Sequence, residues 1–235
     1  MLKIKNISKS YGGKQVLNNI SFEVKESEIA VLLGESGVGK STVIRILNGL
    51  DKIDSGEILL DNKELSTSGH SVGMVFQLFN LFEHMTVLEN ITFPLEKVLK
   101  LGHKEAVKIA MNLLEKYGLK EKINEYPSGL SGGQKQRLAL SRTIAMKPKV
   151  ICLDEPTSAL DPMLTTNVAH NIQDIAKNNF IVLVATHDTT LLEKLNCTIY
   201  LMEKGQIIET TNSKEFYENQ NKFPKLKKFV AGDIS

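Results

Sequence analysis

The chain has 235 residues, of which 42% are hydrophobic and 24% charged, and its formal net charge at pH 7 is +2. It is long enough to bury a substantial core, and its isoelectric point of about 8.4 lies below the strongly basic range of nucleic-acid-binding domains. The charge alone therefore indicates little about partners, and no nucleic-acid partner is expected. Its apolar runs fall well short of the roughly 20 residues that cross a bilayer, so a role at a membrane would require a partner.

The first elements predict a small antiparallel sheet and then a strand–loop–helix unit. Residues 2–7 and 20–24 mix β-branched with polar residues and are separated by a glycine-containing turn, which favours antiparallel strands. The apolar run at 29–33 ends at a glycine-rich loop before a helical pattern. The same order follows the apolar runs at 150–154 and 180–185. Apolar strands that alternate with helices predict a parallel sheet covered on both faces.

The middle of the chain, about residues 81–147, lacks buried-strand runs and is predicted to be a helical subdomain inserted into this core. One predicted helix covers 104–118, and its apolar stripe would be Ala106, Ala110, Leu113 and Tyr117. The remaining residues, about 1–80 and 148–235, would form the core, so that 1–235 is a single domain.

The last third predicts one long helix, a hairpin and a tail. A helix over 161–177 would have Asp161 as its N-cap and Pro162 in its first turn. Residues 200–209 resemble a β-hairpin, and the lysine-containing tail after it is predicted to be a solvated helix.

The loop after the first apolar strand matches the phosphate-binding pattern G-x-x-x-x-G-K-[ST], in the strand-to-helix context that this pattern requires. Lys40 would supply a charge to the β- and γ-phosphates, and Ser41 would ligate Mg²⁺. The predicted phosphate loop comprises Gly34, Glu35, Ser36, Gly37, Val38, Gly39, Lys40, Ser41 and Thr42.

Two acidic residues end the apolar run at 150–154 and extend beyond it. Asp154 would hold Mg²⁺ through water, as the second acidic element of P-loop enzymes does. Glu155 would accept a proton from the attacking water. An isolated Asp-Glu pair is as readily a helix cap or a solvated acid, so these roles depend on the phosphate loop.

Three more residues are assigned a role only because the phosphate loop is also present. Gln77 follows a predicted strand, and its amide would sense the metal and the water. His187 lies at the carboxyl end of a predicted sheet strand, where ligand chemistry concentrates, and it would bind the γ-phosphate. Tyr11 would stack on adenine. Taken singly, the histidine is a structural residue and the tyrosine an ordinary turn aromatic.

A second cradle for anions occurs at residues 130–134 (LSGGQ), here called the signature segment. Ser131 and Gln134 have the spacing of a helix capping box. Gly132 and Gly133 are not explained by that box, because each glycine costs about 1 kcal/mol within a helix, and they would let the backbone approach a phosphate. A two-fold dimer in which each signature segment covers the partner's phosphate loop would account for both cradles.

These segments together resemble the ATP-binding subunit of ATP-binding cassette (ABC) transporters, over the whole chain and in the family's order. The resemblance includes the turn aromatic, the phosphate loop, the loop glutamine, LSGGQ, VICLDE, the SALD loop at 158–161 and the histidine. It implies an α/β P-loop NTPase fold of the RecA-like type, with a parallel-sheet core, an N-terminal antiparallel β subdomain and the inserted helical subdomain.

The resemblance also implies roles for the site residues. ATP and Mg²⁺ would lie between two copies bound head to tail, with Lys40, Ser41 and Thr42 on the phosphates and metal. Ser131 and Gly133 of the second copy would contact the γ-phosphate. The same comparison makes Glu155 the general base, His187 a stabiliser of the transferring phosphoryl group, Gln77 a metal-sensing residue and Asp161 a link between the two sites.

The segment after Gln77 (LFNLFEHMTVLENI) resembles importer subunits that serve polar amino acids. There it forms a groove for a cytoplasmic helix of the permease, a general recognition mode, and Leu78, Phe79, Leu81 and Phe82 would line it here. These side chains are equally compatible with the core of the helical subdomain. The chain would then sit on the cytoplasmic face of the inner or plasma membrane, bound through permease subunits, in a complex with a solute-binding protein.

Other functions remain open at this stage. Glu35, Leu78, Glu83 and Asp188 depart from the amino-acid-importer pattern, which leaves a lipoprotein-releasing or small-molecule export complex as the nearest alternative. A soluble P-loop kinase would not need LSGGQ and would need an arginine-rich lid. ABC proteins of DNA repair or translation carry tandem cassettes or long coiled-coil insertions, which this sequence lacks.

Overall fold

The computed structural model describes residues 1–66 and 69–233; residues 67–68 and 234–235 lie outside the described part. The strands, in chain order, are β1 (Leu2–Tyr11), β2 (Lys14–Val24), β3 (Ile29–Leu33), β4 (Ser55–Leu60), β5 (Lys63–Glu64), β6 (Val72–Val75), β7 (Val150–Asp154), β8 (Ile181–Thr186), β9 (Thr198–Glu203) and β10 (Gln206–Asn212). The helices are α1 (Lys40–Leu47), α2 (Val87–Lys97), α3 (His103–Lys116), α4 (Gly132–Ala145), α5 (Thr165–Lys177), α6 (Thr189–Glu193), α7 (Ser213–Glu218) and α8 (Pro224–Ala231).

The first sheet is antiparallel, with strand order β2-β1-β4-β5. β1 and β2 pair from Leu2 opposite Val24 to Tyr11 opposite Lys14, around a turn at residues 12–13. The predicted antiparallel pair is confirmed, although both strands are longer than the sequence pattern indicated. They extend to the turn because polar residues are tolerated along the solvent-facing side of such a sheet.

The second sheet has strand order β10-β9-β3-β8-β7-β6. All its neighbouring pairs are parallel except the β9–β10 hairpin at one edge. The predicted parallel core is therefore confirmed, and so is the hairpin. β3 and β8 are buried along their whole length, as expected of strands covered on both faces. The carboxyl ends of β3, β7 and β8 meet at one edge, where parallel α/β sheets bind ligands.

Three apolar clusters surround these sheets. Alternate residues of β3 point to opposite faces: Val31 and Leu33 join a cluster with α5, α6 and the last helices, and Ala30 and Leu32 join one with α1 and the antiparallel sheet. The third cluster lies among α2, α3 and α4. On α3 the predicted stripe is confirmed at Ala106 and Ala110, which are buried, and at Tyr117 just after the helix. Leu113 is partly buried against the same cluster, and Leu114, which was not predicted, is fully buried.

The predicted helix over 161–177 is divided. Residues Pro162–Leu164 form a 3₁₀ turn and α5 begins at Thr165. The Asp161 carboxylate accepts a hydrogen bond from the Met163 N–H at 2.9 Å, so Asp161 caps the short turn and not the α-helix. The prediction was wrong at this boundary because aspartate readily binds the backbone two residues ahead.

The predicted solvated tail is also wrong, because the tail docks on the core. Phe216 of α7 is 0% exposed and Leu226 of α8 is 1% exposed. Phe223, Phe229 and Val230 pack against the same cluster. The lysines of this segment point outward, which is why the sequence pattern indicated a solvated helix.

None of the described helices is both long and apolar enough to cross a membrane.

Candidate functional site

The phosphate loop joins β3 to α1 and has a backbone that glycine permits. Gly39 has φ +108°, and a Cβ at this position would lie 2.6 Å from Leu17 Cδ2. Lys40 is 4% exposed. Its ammonium lies within the loop and donates to the carbonyl oxygens of Gly34 at 2.7 Å and Glu35 at 2.9 Å. The loop therefore holds a buried positive charge at the N-terminus of α1, where anions bind favourably.

Ser41 and Asp154, the predicted metal ligands, are in direct contact. The Ser41 hydroxyl donates to Asp154 Oδ1 at 2.8 Å. Asp154 is the last residue of β7, and burial raises the pKa of its carboxyl while the hydrogen bond from Ser41 acts in the opposite direction. A hydroxyl and a carboxylate oxygen side by side are the hard oxygen ligands that Mg²⁺ prefers, so the residues present fit this ion.

Glu155 lies at the centre of the cluster. Its Oε1 is 3.4 Å from Lys40 Nζ, and its Oε2 is 3.0 Å from His187 Nδ1. The side chain is 13% exposed. The residue has φ +47°, a left-handed conformation that costs about 1–3 kcal/mol in a non-glycine residue. Its N–H donates to the Ala185 carbonyl at 2.8 Å, which fixes the strained residue beside β8.

The remaining predicted residues of this edge are accessible. His187 follows β8 and its side chain is 54% exposed. Gln77 is exposed and lies two residues beyond β6, the strand that pairs with β7. Tyr11, at the end of β1, is 43% exposed; partial burial and a hydrogen bond with Asp51 raise its pKa. Their predicted nucleotide contacts stay predictions.

The signature segment forms the start of α4 and has the capping box that its spacing predicts. The Gln134 N–H donates to Ser131 Oγ at 3.4 Å, and the Ser131 N–H donates to Gln134 Oε1 at 2.8 Å. A Cβ on Gly132 would lie 3.0 Å from Leu160 Cδ2. The small size of Gly132 thus already serves close packing within the chain.

The two anion cradles do not meet within one chain. Across residues 1–66 and 69–233, no hydrogen bond or ion pair joins residues 131–134 to the phosphate loop. The structure therefore brings together Lys40, Ser41, Asp154, Glu155 and His187 at one edge of the sheet. The signature segment lies at the start of α4, whose buried residues pack both with α5 and α6 and with α2 and α3.

Two functional residues were missed by sequence reasoning. The Thr186 hydroxyl donates to Glu155 Oε2 at 3.3 Å and accepts from the Asp188 N–H at 3.0 Å. Gln136 is 2% exposed, and its Nε2 donates to the Pro156 carbonyl at 2.8 Å. This bond ties α4 to the residue that follows Glu155. The only sequence signal for Gln136 is a polar residue on the buried face of a helix.

The four residues predicted to line the permease groove differ in how far they are exposed. Phe79 is 6% exposed and belongs to the core, against which Leu81 also packs. Leu78, in contrast, is 76% exposed. Phe82 lines a cavity of about 260 Å³ together with Arg142, whose guanidinium carbon lies 5.0 Å from the centre of the Phe82 ring.

Arg142 is the unusual group of that cavity. Its Nη2 donates to the Phe79 carbonyl at 3.0 Å, whereas Nη1 is buried without a hydrogen-bond partner in the described part of the chain. Burial lowers the pKa of the guanidinium. A buried N–H group without a partner is costly, and the ring contact with Phe82 is the other interaction of this guanidinium.

Comparisons with known proteins were made for both the sequence and the structure. The family model described as "ABC transporter" matches residues 17–158. The glutamine transport ATP-binding protein of Geobacillus stearothermophilus is 42% identical over 226 residues, which cover 93% of each chain. The glutamate/aspartate import ATP-binding protein of Escherichia coli K12 is 39% identical over 238 residues, which cover 98% of each.

Solved structures agree with these matches. A dimeric ATP-binding cassette in a post-hydrolysis state, bound to ADP and Pi, superposes with a TM-score of 0.78 at 31% identity, covering 91% of this chain and 99% of that one. A cassette of an ABC transporter in its ADP conformation superposes with a TM-score of 0.87 at 26% identity, covering 99% and 98%.

Gln136 generates a prediction about positioning. In Gln136→Leu the Pro156 carbonyl loses its donor, so that one of the contacts that position the adjoining Glu155 is lost. We expect kcat for ATP hydrolysis to fall about tenfold, the equivalent of roughly 1.4 kcal/mol, with KM for ATP little changed. Steady-state kinetics at several ATP concentrations measure both.

The matched control is Gln173→Leu, which removes another amide-to-carbonyl bond, from Gln173 Nε2 to the Lys194 carbonyl at 2.7 Å, in which neither partner adjoins Glu155. An equal fall of kcat in both variants, or a change confined to KM, would contradict a positioning role for Gln136.

Proposed function

The chain belongs to the ABC transporter ATP-binding family, and we propose that two copies of it hydrolyse ATP in shared sites to drive uptake of a polar amino acid through separate permease subunits. Its activity as an ATPase follows from the family and from relatives that align over nearly the whole chain. The observation that carries the proposal is the cluster of Lys40, Ser41, Asp154, Glu155 and His187 at one sheet edge, with the signature segment outside it at the start of α4.

The cluster suits hydrolysis of a triphosphate. Lys40 now contacts two loop carbonyls and Glu155, and phosphate oxygens are stronger partners for its ammonium. Once the ammonium turns to the nucleotide, the Glu155 carboxylate is free to accept a proton from water. Thr186 and His187 keep that carboxylate oriented, and the imidazole is placed to stabilise the transferring group.

Mg²⁺ would be held by Ser41 and Asp154, with Gln77 completing the set from the neighbouring strand. The ion would neutralise charge on the β- and γ-phosphates as they part. The contact between Ser41 and Asp154 at 2.8 Å supports this assignment, since it places two oxygen ligands side by side at the start of α1.

The second half of each site would come from the other copy. Solved relatives of this fold include dimeric cassettes, and an isologous dimer uses one surface twice. Ser131, Gly132, Gly133 and Gln134 of one copy would then meet the γ-phosphate held by the other, and Asp161 would lie between the two sites. In this arrangement the helix N-terminus of α4 faces the anion.

Import of polar amino acids is supported by the relatives, whose printed names refer to transport of glutamine, arginine and glutamate. The departures from the importer pattern do not oppose it. Asp188, for example, accepts from the N–H groups of Thr190 and Leu191, so it caps α6. A solute-binding protein would deliver the amino acid on the far side of the membrane.

Permease docking is proposed at Leu78, Phe82 and Arg142. Leu78 is an exposed apolar side chain four residues before Phe82, and Phe82 and Arg142 line one cavity. A cytoplasmic helix of the permease would cover Leu78 and place an acceptor on Arg142 Nη1. The chain would thereby be bound to the cytoplasmic face of the membrane without crossing it.

Removal of the proton acceptor tests the shared site. Glu155→Gln should lower turnover by at least about 100-fold, the lower range of general-base contributions, while Lys40 and Ser41 still bind ATP. The ATP-loaded protein should therefore elute as a dimer in gel filtration and the ADP-loaded protein as a monomer. The control Glu121→Gln, in a short turn of the helical subdomain, should behave as wild type. A Glu155→Gln protein that binds ATP yet stays monomeric would contradict the proposal.

Docking and substrate are tested together. In cells that lack the native chain, Leu78→Asp should reduce uptake of labelled glutamine, glutamate or arginine at least about tenfold more than it reduces ATP hydrolysis by the isolated chain, because a charge on the docking surface must be desolvated on binding. Val98→Asp, at a 44% exposed position elsewhere, is the control. Uptake of none of these amino acids by the wild type would contradict the proposed substrate class.

A further inference from the structure

A cavity of about 350 Å³ opens between the phosphate loop, the end of β8 and the last helix. Ser36 lines it from the loop side and His187 and Thr189 from the strand side. Phe229 and Val230 of α8 line it from the third side with partly buried apolar surface. The docked tail therefore forms a wall of a space that adjoins the phosphate loop.

A large apolar side chain elsewhere on the molecule has no cover. Met163 is 87% exposed, the largest value among the exposed large hydrophobic residues of the described part. It lies in the turn Pro162–Leu164, and its N–H is held by the Asp161 carboxylate at 2.9 Å. Its backbone is thus fixed while its thioether points away from the core.

Residues on both sides of the exposed methionine pack against the signature segment of its own chain. A Cβ on Gly132 would lie 3.0 Å from Leu160 Cδ2, and one on Gly133 would lie 3.5 Å from Leu164 Cδ1. Met163 immediately precedes Leu164. The turn that carries Met163 therefore lies beside the signature segment and would approach the same partner.

We propose that Met163 of each copy inserts into the cavity beside the partner's phosphate loop, against His187, Thr189 and the apolar side of α8. This inference rests on the proposed head-to-tail dimer, in which the signature segment covers the loop that carries Ser36. Methionine is unbranched and fills irregular apolar gaps well, and the two-fold axis forms the contact twice. The C-terminal helix is then part of the ATP-dependent interface.

Disulfide cross-linking tests the contact. In a Glu155→Gln background, Met163→Cys and Thr189→Cys are introduced into one chain, which is oxidised mildly with ATP or with ADP. The native thiols interfere little, because Cys152 and Cys197 are buried and burial raises the pKa of each to about 12. We expect at least about tenfold more covalent dimer with ATP on a non-reducing gel. Met163→Cys with Val98→Cys is the control and should give none.

A second measurement does not depend on cross-linking geometry. Met163→Asp in the same background should raise the dimer dissociation constant at least about tenfold in sedimentation with ATP, since a carboxylate would lose its water beside Phe229, Val230 and the like charge of Glu35, whereas Val98→Asp should not change it. If Glu155→Gln dimerises with ATP but Met163→Asp is as tight and no cross-link forms, the Met163 contact is wrong and the shared site stands. If Glu155→Gln itself never dimerises, both are wrong.

Discussion

The Lys40–Glu155 ion pair is the interaction on which the rest of the site depends. Its partners are 3.4 Å apart and only 4% and 13% exposed, and two charges in so little water are poorly stabilised unless further hydrogen bonds support them. The loop carbonyls support the ammonium, and Thr186 and His187 support the carboxylate. The parallel register of β3, β7 and β8 is what brings these groups together. A triphosphate would offer the lysine a better partner and release the glutamate, so that in the proposed mechanism nucleotide binding itself would free the base.

The helix α4 connects this cluster to two other surfaces. Its 14 residues extend about 21 Å at 1.5 Å per residue. The signature segment lies at its start, Gln136 holds the Pro156 carbonyl from its buried face, and Arg142 reaches the docking cavity near its end. A displacement of Arg142 by a permease helix would therefore be transmitted along one rigid element, both to the loop of Glu155 and to the surface offered to a second copy.

Sequence patterns correctly predicted those parts of the molecule whose structure depends on residues close together in the chain. The strand at 150–154 and the phosphate loop were evident because continuous apolar runs and G-K-S spacing have few other structural solutions. The start of α5 was misplaced because the Asp161 carboxylate accepts a hydrogen bond from the Met163 N–H, two residues ahead, and so caps the short turn before the helix. The burial of the tail was not predicted because its lysines outweighed the apolar residues Phe216 and Leu226 in the sequence pattern. Gln136 and Thr186 could not be found, since their importance comes from tertiary contacts with Pro156 and Glu155.

The central claim is that each site needs two copies, and subunit mixing tests it most directly. Ser131→Arg damages only what a chain gives to its partner, and Glu155→Gln damages only the chain's own phosphate site. Single-turnover ATP hydrolysis is measured for each variant alone and for an equimolar mixture. The account predicts two inactive proteins and an active mixture, because mixed dimers contain one intact site. A mixture as inactive as its components would contradict it.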